Sequence, residues 1–221
     1  MDLVYPLRDE SDDDYFELKY SLRSMSNVPH DRVIIVGGKP SWITNIVHIK
    51  ETDSHSLKGY NSMRKLLAAF NVVSEDFIYM NDDFFMLKEQ NIQYFHQGKL
   101  KDNVERRGPL LNFSRYWAGM KRVSILFEEP LDYEIHYPFI FNKNRLLEMT
   151  NKYDMDKQYS LRSLYGNEFG VGGEFMKDNK VYAIEDFKGD LFVSSSDQLH
   201  TDGALTKALD KMFPRKSIYE L

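Results

Sequence analysis

The chain has 221 residues, a formal net charge of −5 and no cysteine. Disulfides, zinc–thiolate centres and a cysteine nucleophile are therefore excluded. The negative balance does not suit a protein that coats duplex phosphate, although it leaves room for a local basic cleft. No apolar run approaches the ~20 residues of a membrane span, and the opening MDLVYPLRDE lacks the basic-then-apolar order of a secretory signal. The expected setting is the cytoplasm.

In chain order, Leu3-Val4-Tyr5 is a short apolar run ended by Pro6 and predicts a first strand. The acidic cluster Asp9, Glu10, Asp12, Asp13 and Asp14 stands where carboxylates favour a helix N-terminus. Tyr15, Leu18, Leu22 and Met25 recur at helical spacing behind it. Val33 to Val36, followed by Gly37-Gly38, predicts a fully buried strand running into a tight loop. Ile46 to Ile49 predicts a shorter strand, Met63 to Val73 a helix, and Phe77 to Met80 a strand with Asn81-Asp82-Asp83 at its carboxyl end. Strands alternating with helices predict an α/β fold with a mixed, mostly parallel sheet flanked by helices.

The second half is less regular. Leu110 to Phe127, around Trp117, leaves room for a strand or two, and Ile135 to Phe141 reads as a strand at an edge or bend because of Pro138. Asn142 predicts a cap for a helix through Met149, and Ser160 to Tyr165 predicts a turn or two of helix stopped by Gly166. Val181 to Ile184 and Leu191 to Val193 predict strands, and Ala204 to Met212 a closing helix. The serines Ser194 to Ser196 read as caps for that last helix. With no repeat or linker, one domain over residues 1–221 is the simplest expectation.

Asp82 and Asp83 are the chemically informative pair. In open α/β sheets ligands gather beyond the carboxyl ends of the strands, and two carboxylates pushed into that crevice repel unless a cation or donor compensates. A hard divalent ion with positions left for phosphate oxygens resolves the conflict and steadies departing charge. The alternative is an Asn-Asp-Asp turn with solvated carboxylates. Tyr5 to Arg8 leaves the first strand at the same edge, and Gly37-Gly38 permits close backbone approach to a ligand. His136 is a candidate acid or base, or a packed histidine among aromatics. Arg162 is a candidate phosphate clamp, or a surface arginine on a short helix. His200 is a weaker metal-ligand candidate.

These residues also carry a pattern. E-L-K-Y-S-L-R-S (Glu17–Ser24), P-S-W (Pro40–Trp42), Y-N-S (Tyr60–Ser62) and S-E-D-F-I-Y-M-N-D-D-F-F (Ser74–Phe85) resemble, in order and spacing, the second conserved block of the Stealth family. That family comprises sugar-1-phosphate transferases of capsule synthesis and the lysosomal-enzyme N-acetylglucosamine-1-phosphotransferase. D-L-V-Y (Asp2–Tyr5) is similar to its first block, although P-L-R-D-E stands where T-W-V-D-G is usual. H-Y-P (His136–Pro138) and R-S-L-Y-G-N (Arg162–Asn167) look like shortened later blocks.

The resemblance implies a GT-A-like nucleotide-sugar fold, with a donor-binding half over 1–90 and an acceptor and catalytic half over 91–221. It implies Asp82 and Asp83 as ligands of Mn2+ or Mg2+, and Asp83, His136 and Arg162 as the catalytic set. Tyr5, Arg8, Arg23, Gly37, Asn61, Asn81 and Asp82 are then expected to hold a nucleotide-sugar, UDP-linked most often. The reaction implied is transfer of a sugar-1-phosphate to an acceptor hydroxyl, on a glycan or modified polymer. An ordinary GT-A glycosyltransferase, and a non-catalytic nucleotide-sugar or glycan-binding module, are the rival readings.

Overall fold

The computed structural model describes residues 1–8, 15–54, 58–111, 115–188, 191–200 and 203–221. The acidic cluster from Asp9 to Asp14 lies outside the described residues, as does the side chain of His200.

A five-stranded sheet forms the centre. Its strands are β1 (Asp2–Leu7), β2 (Val33–Gly37), β3 (Val47–Ile49), β4 (Asp76–Tyr79) and, later in the chain, an edge strand Phe139–Asn142. The order is β3-β2-β1-β4 and then the edge strand, which alone runs antiparallel. The expected mostly parallel α/β sheet is present. Pairs such as Val4↔Ile34 and Leu3↔Ile78 set the register. The edge strand begins just after Pro138, so the proline's missing N–H falls outside the ladder.

Two helices cover the first half of the sheet: α1 (Phe16–Ser24) and α2 (Lys58–Ala68). Alternation along β1 decides which face each residue serves. Leu3, Tyr5 and Leu7 pack with Leu18 and Leu22 of α1, whereas Val4 joins Ile34, Val36 and Leu66 of α2 on the other face. All of these side chains are almost wholly buried, and truncating one such leucine to alanine typically costs ~2–5 kcal/mol.

Among the described residues, two small sheets accompany the central one. One joins β5 (Phe84–Met86) to two later strands, and β6 (Phe95–His96) belongs to the other. Between Leu110 and Phe127, where a strand or two is expected, the described residues instead hold the end of one helix, α3 (Leu100–Leu111), and a second, α4 (Arg115–Ser124). Trp117, Met120 and Val123 of α4 recur at helical spacing and are all buried against the second face of the sheet. The edge strand is β7, and α5 (Lys143–Lys152) follows it at once. The Asn142 side chain accepts from the N–H groups of Asn144 at 3.1 Å and Arg145 at 3.2 Å, a cap worth about 1 kcal/mol.

Gly166 does not stop the next helix. α6 (Leu161–Glu168) runs through it, and a Cβ there would collide with the Tyr133 ring. The glycine is a packing device, not a terminator.

The remaining strands are β8 (Glu174–Phe175), β9 (Lys180–Val181) and β10 (Phe192–Ser195). β9 is shorter than expected and gives way to a 3-10 turn at Ile184–Asp186. β10 pairs antiparallel with β5 and parallel with β9, and β6 pairs with β8. The closing helix α7 (Ala204–Met212) is present as expected, but its N-cap is Gly203 with no side-chain cap. Ser194 and Ser195 lie inside β10, so they do not cap it. Among the described residues no helix is long and apolar enough to cross a membrane.

Candidate active site

A cavity of about 800 Å³ opens beyond the carboxyl ends of β1 and β4. Pro6 and Arg8 reach it from β1, and Tyr79, Asn81, Asp82 and Asp83 from β4 and the turn after it. Glu17, Lys19 and Tyr20 of α1, Asn61, Ser62 and Lys65 of α2, and the start of α7 complete its walls. The position follows from the topology. Parallel strands release their chains at one edge, so the turns there are gathered around a common crevice.

Asp83 divides its two oxygens unequally. Oδ2 accepts from Ser194 Oγ at 2.8 Å and lies 3.3 Å from Lys180 Nζ, whereas Oδ1 is buried and has no hydrogen-bond partner. Among the described residues, no three or more His, Asp or Glu side chains converge as a self-sufficient metal cage. An Mg2+ or Mn2+ ion that rides on a diphosphate needs only one or two protein carboxylates. The orphaned oxygen of Asp83, with Asp82 beside it on the same cavity, fits that requirement.

Tyr79 stands behind the pair. Burial, modulated by the nearby charges of Arg162, Glu134 and Asp83 and a hydrogen bond with Ser62, pushes its phenol up to about 12. It stays protonated at neutral pH and serves as a neutral wall.

The cation deepest in the cavity wall was not singled out in the sequence. Lys65 is only 2% exposed, and its Nζ donates to the Leu7 carbonyl and to Asp53 Oδ1 at 2.6 Å. Its signal was weak, because one lysine on an amphipathic helix reads as a solvated residue. Lys180 and Ser194, which hold Asp83, were missed for a similar reason: strand residues far apart in sequence give no pattern that joins them.

The expected site residues divide into two groups. Arg8, Asn61, Asn81, Asp82 and Asp83 line the cavity together. Tyr5, Gly37, Arg23, His136 and Arg162 do not. Tyr5 is fully buried in the core, its hydroxyl 3.0 Å from Ser21 Oγ, because the alternation of β1 points it under α1. Gly37 has φ +117°, and a Cβ there would press on the Leu7 carbonyl and on Lys65. Its smallness makes room for Lys65. Arg23 forks onto both oxygens of Glu220 at 2.8 Å and onto the Phe213 carbonyl at 3.0 Å, which ties α1 to the last residues.

His136 and Arg162 belong to a polar network beside the cavity. The His136 ring meets Asp178 Oδ2 at 2.7 Å through Nδ1. Arg162 Nη1 donates to the carbonyls of Ile135 at 2.5 Å and Tyr137 at 3.3 Å, and Nη2 to Glu134 Oε2 at 3.3 Å. Arg162 is therefore buried and not a surface arginine, and it does not line the cavity.

No family model matches the chain, and no curated protein matches it. Among solved structures, a glycosyltransferase involved in the glycosylation of the major capsid of PBCV-1 matches at 12% identity, covering 96% of this chain and 97% of that one, with a TM-score of 0.41. A likeness that loose assigns neither family nor activity.

Proposed function

We propose that the chain is a metal-dependent transferase that binds a nucleotide-sugar, UDP-linked, in the cavity beyond β1 and β4 and transfers the sugar to an acceptor hydroxyl. The observation that carries this reading is the Asp82–Asp83 pair at the carboxyl end of β4, one oxygen of it orphaned, on a cavity that also holds the buried cation Lys65. A diphosphate is matched by an ammonium together with a divalent ion that such carboxylates would bind. Asp82 and Asp83 would hold a divalent ion there, which would supply charge neutralisation of the pyrophosphate as it leaves.

In this reading Asp82 and Asp83 hold the ion, and Ser194 and Lys180 fix the Asp83 carboxylate in one rotamer. Arg8 and Lys65 face the phosphates, and Asn61 and Asn81 supply polar contacts to the donor. The acceptor oxygen bonds to the anomeric carbon and gives up its hydroxyl proton to water, the bond from that carbon to the diphosphate oxygen breaks, and a nucleoside diphosphate leaves.

The second reading is sugar-1-phosphate transfer, in which the acceptor attacks the sugar-proximal phosphorus and a nucleoside monophosphate leaves. The Stealth-like strings around His136, Arg162 and Asn81 to Asp83 favour it. The burial of Arg162, three of its five N–H donors being given to two carbonyls and Glu134, and its absence from the cavity wall speak against it.

Incubation with a panel of nucleotide-sugars and manganese, followed by identification of the released nucleotide, tests the proposal. Nucleoside diphosphate is the expected product. Nucleoside monophosphate would promote the second reading, and binding of a nucleotide-sugar without turnover would leave a binding module.

A further inference from the structure

Lys65 is the lysine that this fold treats unlike the others. Among the described residues no other lysine is buried, and it sits on α2 where an aliphatic side chain would pack at lower cost. Removing an ammonium from water is expensive unless good partners compensate. Here the partners are few. The ammonium has three N–H bonds, and those used go to the Leu7 carbonyl and to Asp53. The backbone at Gly37 takes a positive φ and omits a Cβ, and both features leave space for this side chain. An expensive charge with purpose-made room, on the wall of the candidate donor cavity, points to a ligand of opposite sign.

Asp53 is a different kind of partner. Its side chain is 28% exposed, so water is within its reach, whereas Lys65 has nowhere else to go. Both residues line the same cavity, with Arg8 and Lys19 also on its walls. A phosphate oxygen entering the cavity would offer Lys65 a charge-assisted bond at least equal to that of a carboxylate. Asp53 would then rotate out into solvent.

We infer that Lys65 is the phosphate anchor of the cavity and that Asp53 is an internal carboxylate occupying it until a diphosphate displaces it. The ligand class is a pyrophosphate or a nucleoside diphosphate ester. The inference rests on the nucleotide-sugar reading only for the organic half of that ligand. Exchange of one anion for another at Lys65 holds for any diphosphate.

The two residues then make opposite predictions. Losing Lys65 removes the anchor, and neutralising Asp53 removes the competitor. Calorimetry on the full chain with magnesium, using inorganic pyrophosphate, UDP and uridine as separate probes, reads both. In Lys65→Met the affinity for pyrophosphate and UDP is expected to fall about tenfold or more, with uridine unaffected. In Asp53→Asn the affinity for pyrophosphate and UDP is expected to rise about threefold or more, since the occupied state no longer competes.

Unchanged pyrophosphate affinity in Lys65→Met overturns the anchor, and equal or weaker binding in Asp53→Asn overturns the exchange. If Lys65→Met does not fold, the Asp53→Asn arm decides alone. A wild-type chain that binds neither pyrophosphate nor UDP overturns the inference. Lys65-dependent binding of pyrophosphate without binding of UDP upholds it and removes the nucleotide-sugar reading instead.

Discussion

Asp178 takes two hydrogen bonds from His136, one from the backbone N–H to Oδ1 at 3.0 Å and one from ring Nδ1 to Oδ2 at 2.7 Å. Burial alone would raise the Asp178 pKa, but the hydrogen bonds and charge of His136 outweigh it and hold the carboxyl below its ordinary 3.8. An ionised carboxylate only accepts, so ring Nδ1 is the donor of the shorter bond.

The pair makes stability pH-dependent in a defined direction. A carboxyl whose pKa is lower in the folded chain stabilises it above the unfolded value, and that contribution is lost as pH falls through the folded value. Asp178→Asn is expected to lose about 1–3 kcal/mol at pH 7. Urea denaturation of both proteins should show the gap closing below pH 3.8, the ordinary value of this carboxyl. A gap of constant size would mean that the contact acts through packing and not through charge.

Asp83→Asn keeps the shape of the side chain and the Ser194 contact but removes the charge that a divalent ion needs. UDP binding is expected to lose its dependence on manganese, with the melting temperature within a few degrees of wild type because Lys180 retains partial solvent access. Titrations with and without manganese check this. Affinity that still rises with manganese in the variant would remove Asp83 from the metal role.

How much of this was legible in the sequence depended on whether an element's pattern belonged to it alone. β1, β2 and β4 are buried parallel strands, so they appear as continuous apolar runs, and the Asn-Asp-Asp turn could be placed at a strand end directly. α3 could not be read so easily, because Gly108-Pro109 near its end resembles a breaker although the helix extends to Leu111. Ser194 was invisible as a partner of Asp83 because its meaning depends on the antiparallel pairing Ser194↔Phe84. Lys65 was invisible because the direction of a lysine on a helix is set by the cavity it faces.

Gly166 offers a direct check on packing. The helix passes through it, and the Tyr133 ring lies where a Cβ would stand. Tyr133 cannot move freely, since its hydroxyl donates to the Gly172 carbonyl at 2.8 Å and its backbone N–H to Ser163 Oγ at 3.0 Å. Gly166→Ala, which would ordinarily favour a helix, is therefore expected to destabilise by about 1–3 kcal/mol through overpacking. A neutral or stabilising effect in urea denaturation would show that the helix-propensity gain wins instead.

Arg162 separates the two chemistries from a different side than product analysis does. Its guanidinium bonds to the carbonyls of Ile135 and Tyr137 and to Glu134, and Glu134 in turn accepts the Ser163 N–H at 3.1 Å. Removing one member of a buried ion pair leaves the other charge uncompensated, which costs about 3–5 kcal/mol. Arg162→Met is accordingly expected to lower the unfolding free energy by that order while UDP affinity in the folded fraction stays near wild type. Arg162→Lys keeps the charge but not the planar fork that spans two carbonyls and a carboxylate, so it should recover only part of the loss. Combining Arg162→Met with Glu134→Leu removes both charges and should be less destabilising than the sum of the single changes. A clamp on a transferring phosphate behaves otherwise: Arg162→Lys would leave the unfolding midpoint in place and cut the rate of nucleoside monophosphate release. That outcome would return Arg162 to the reaction and the chain to sugar-1-phosphate transfer.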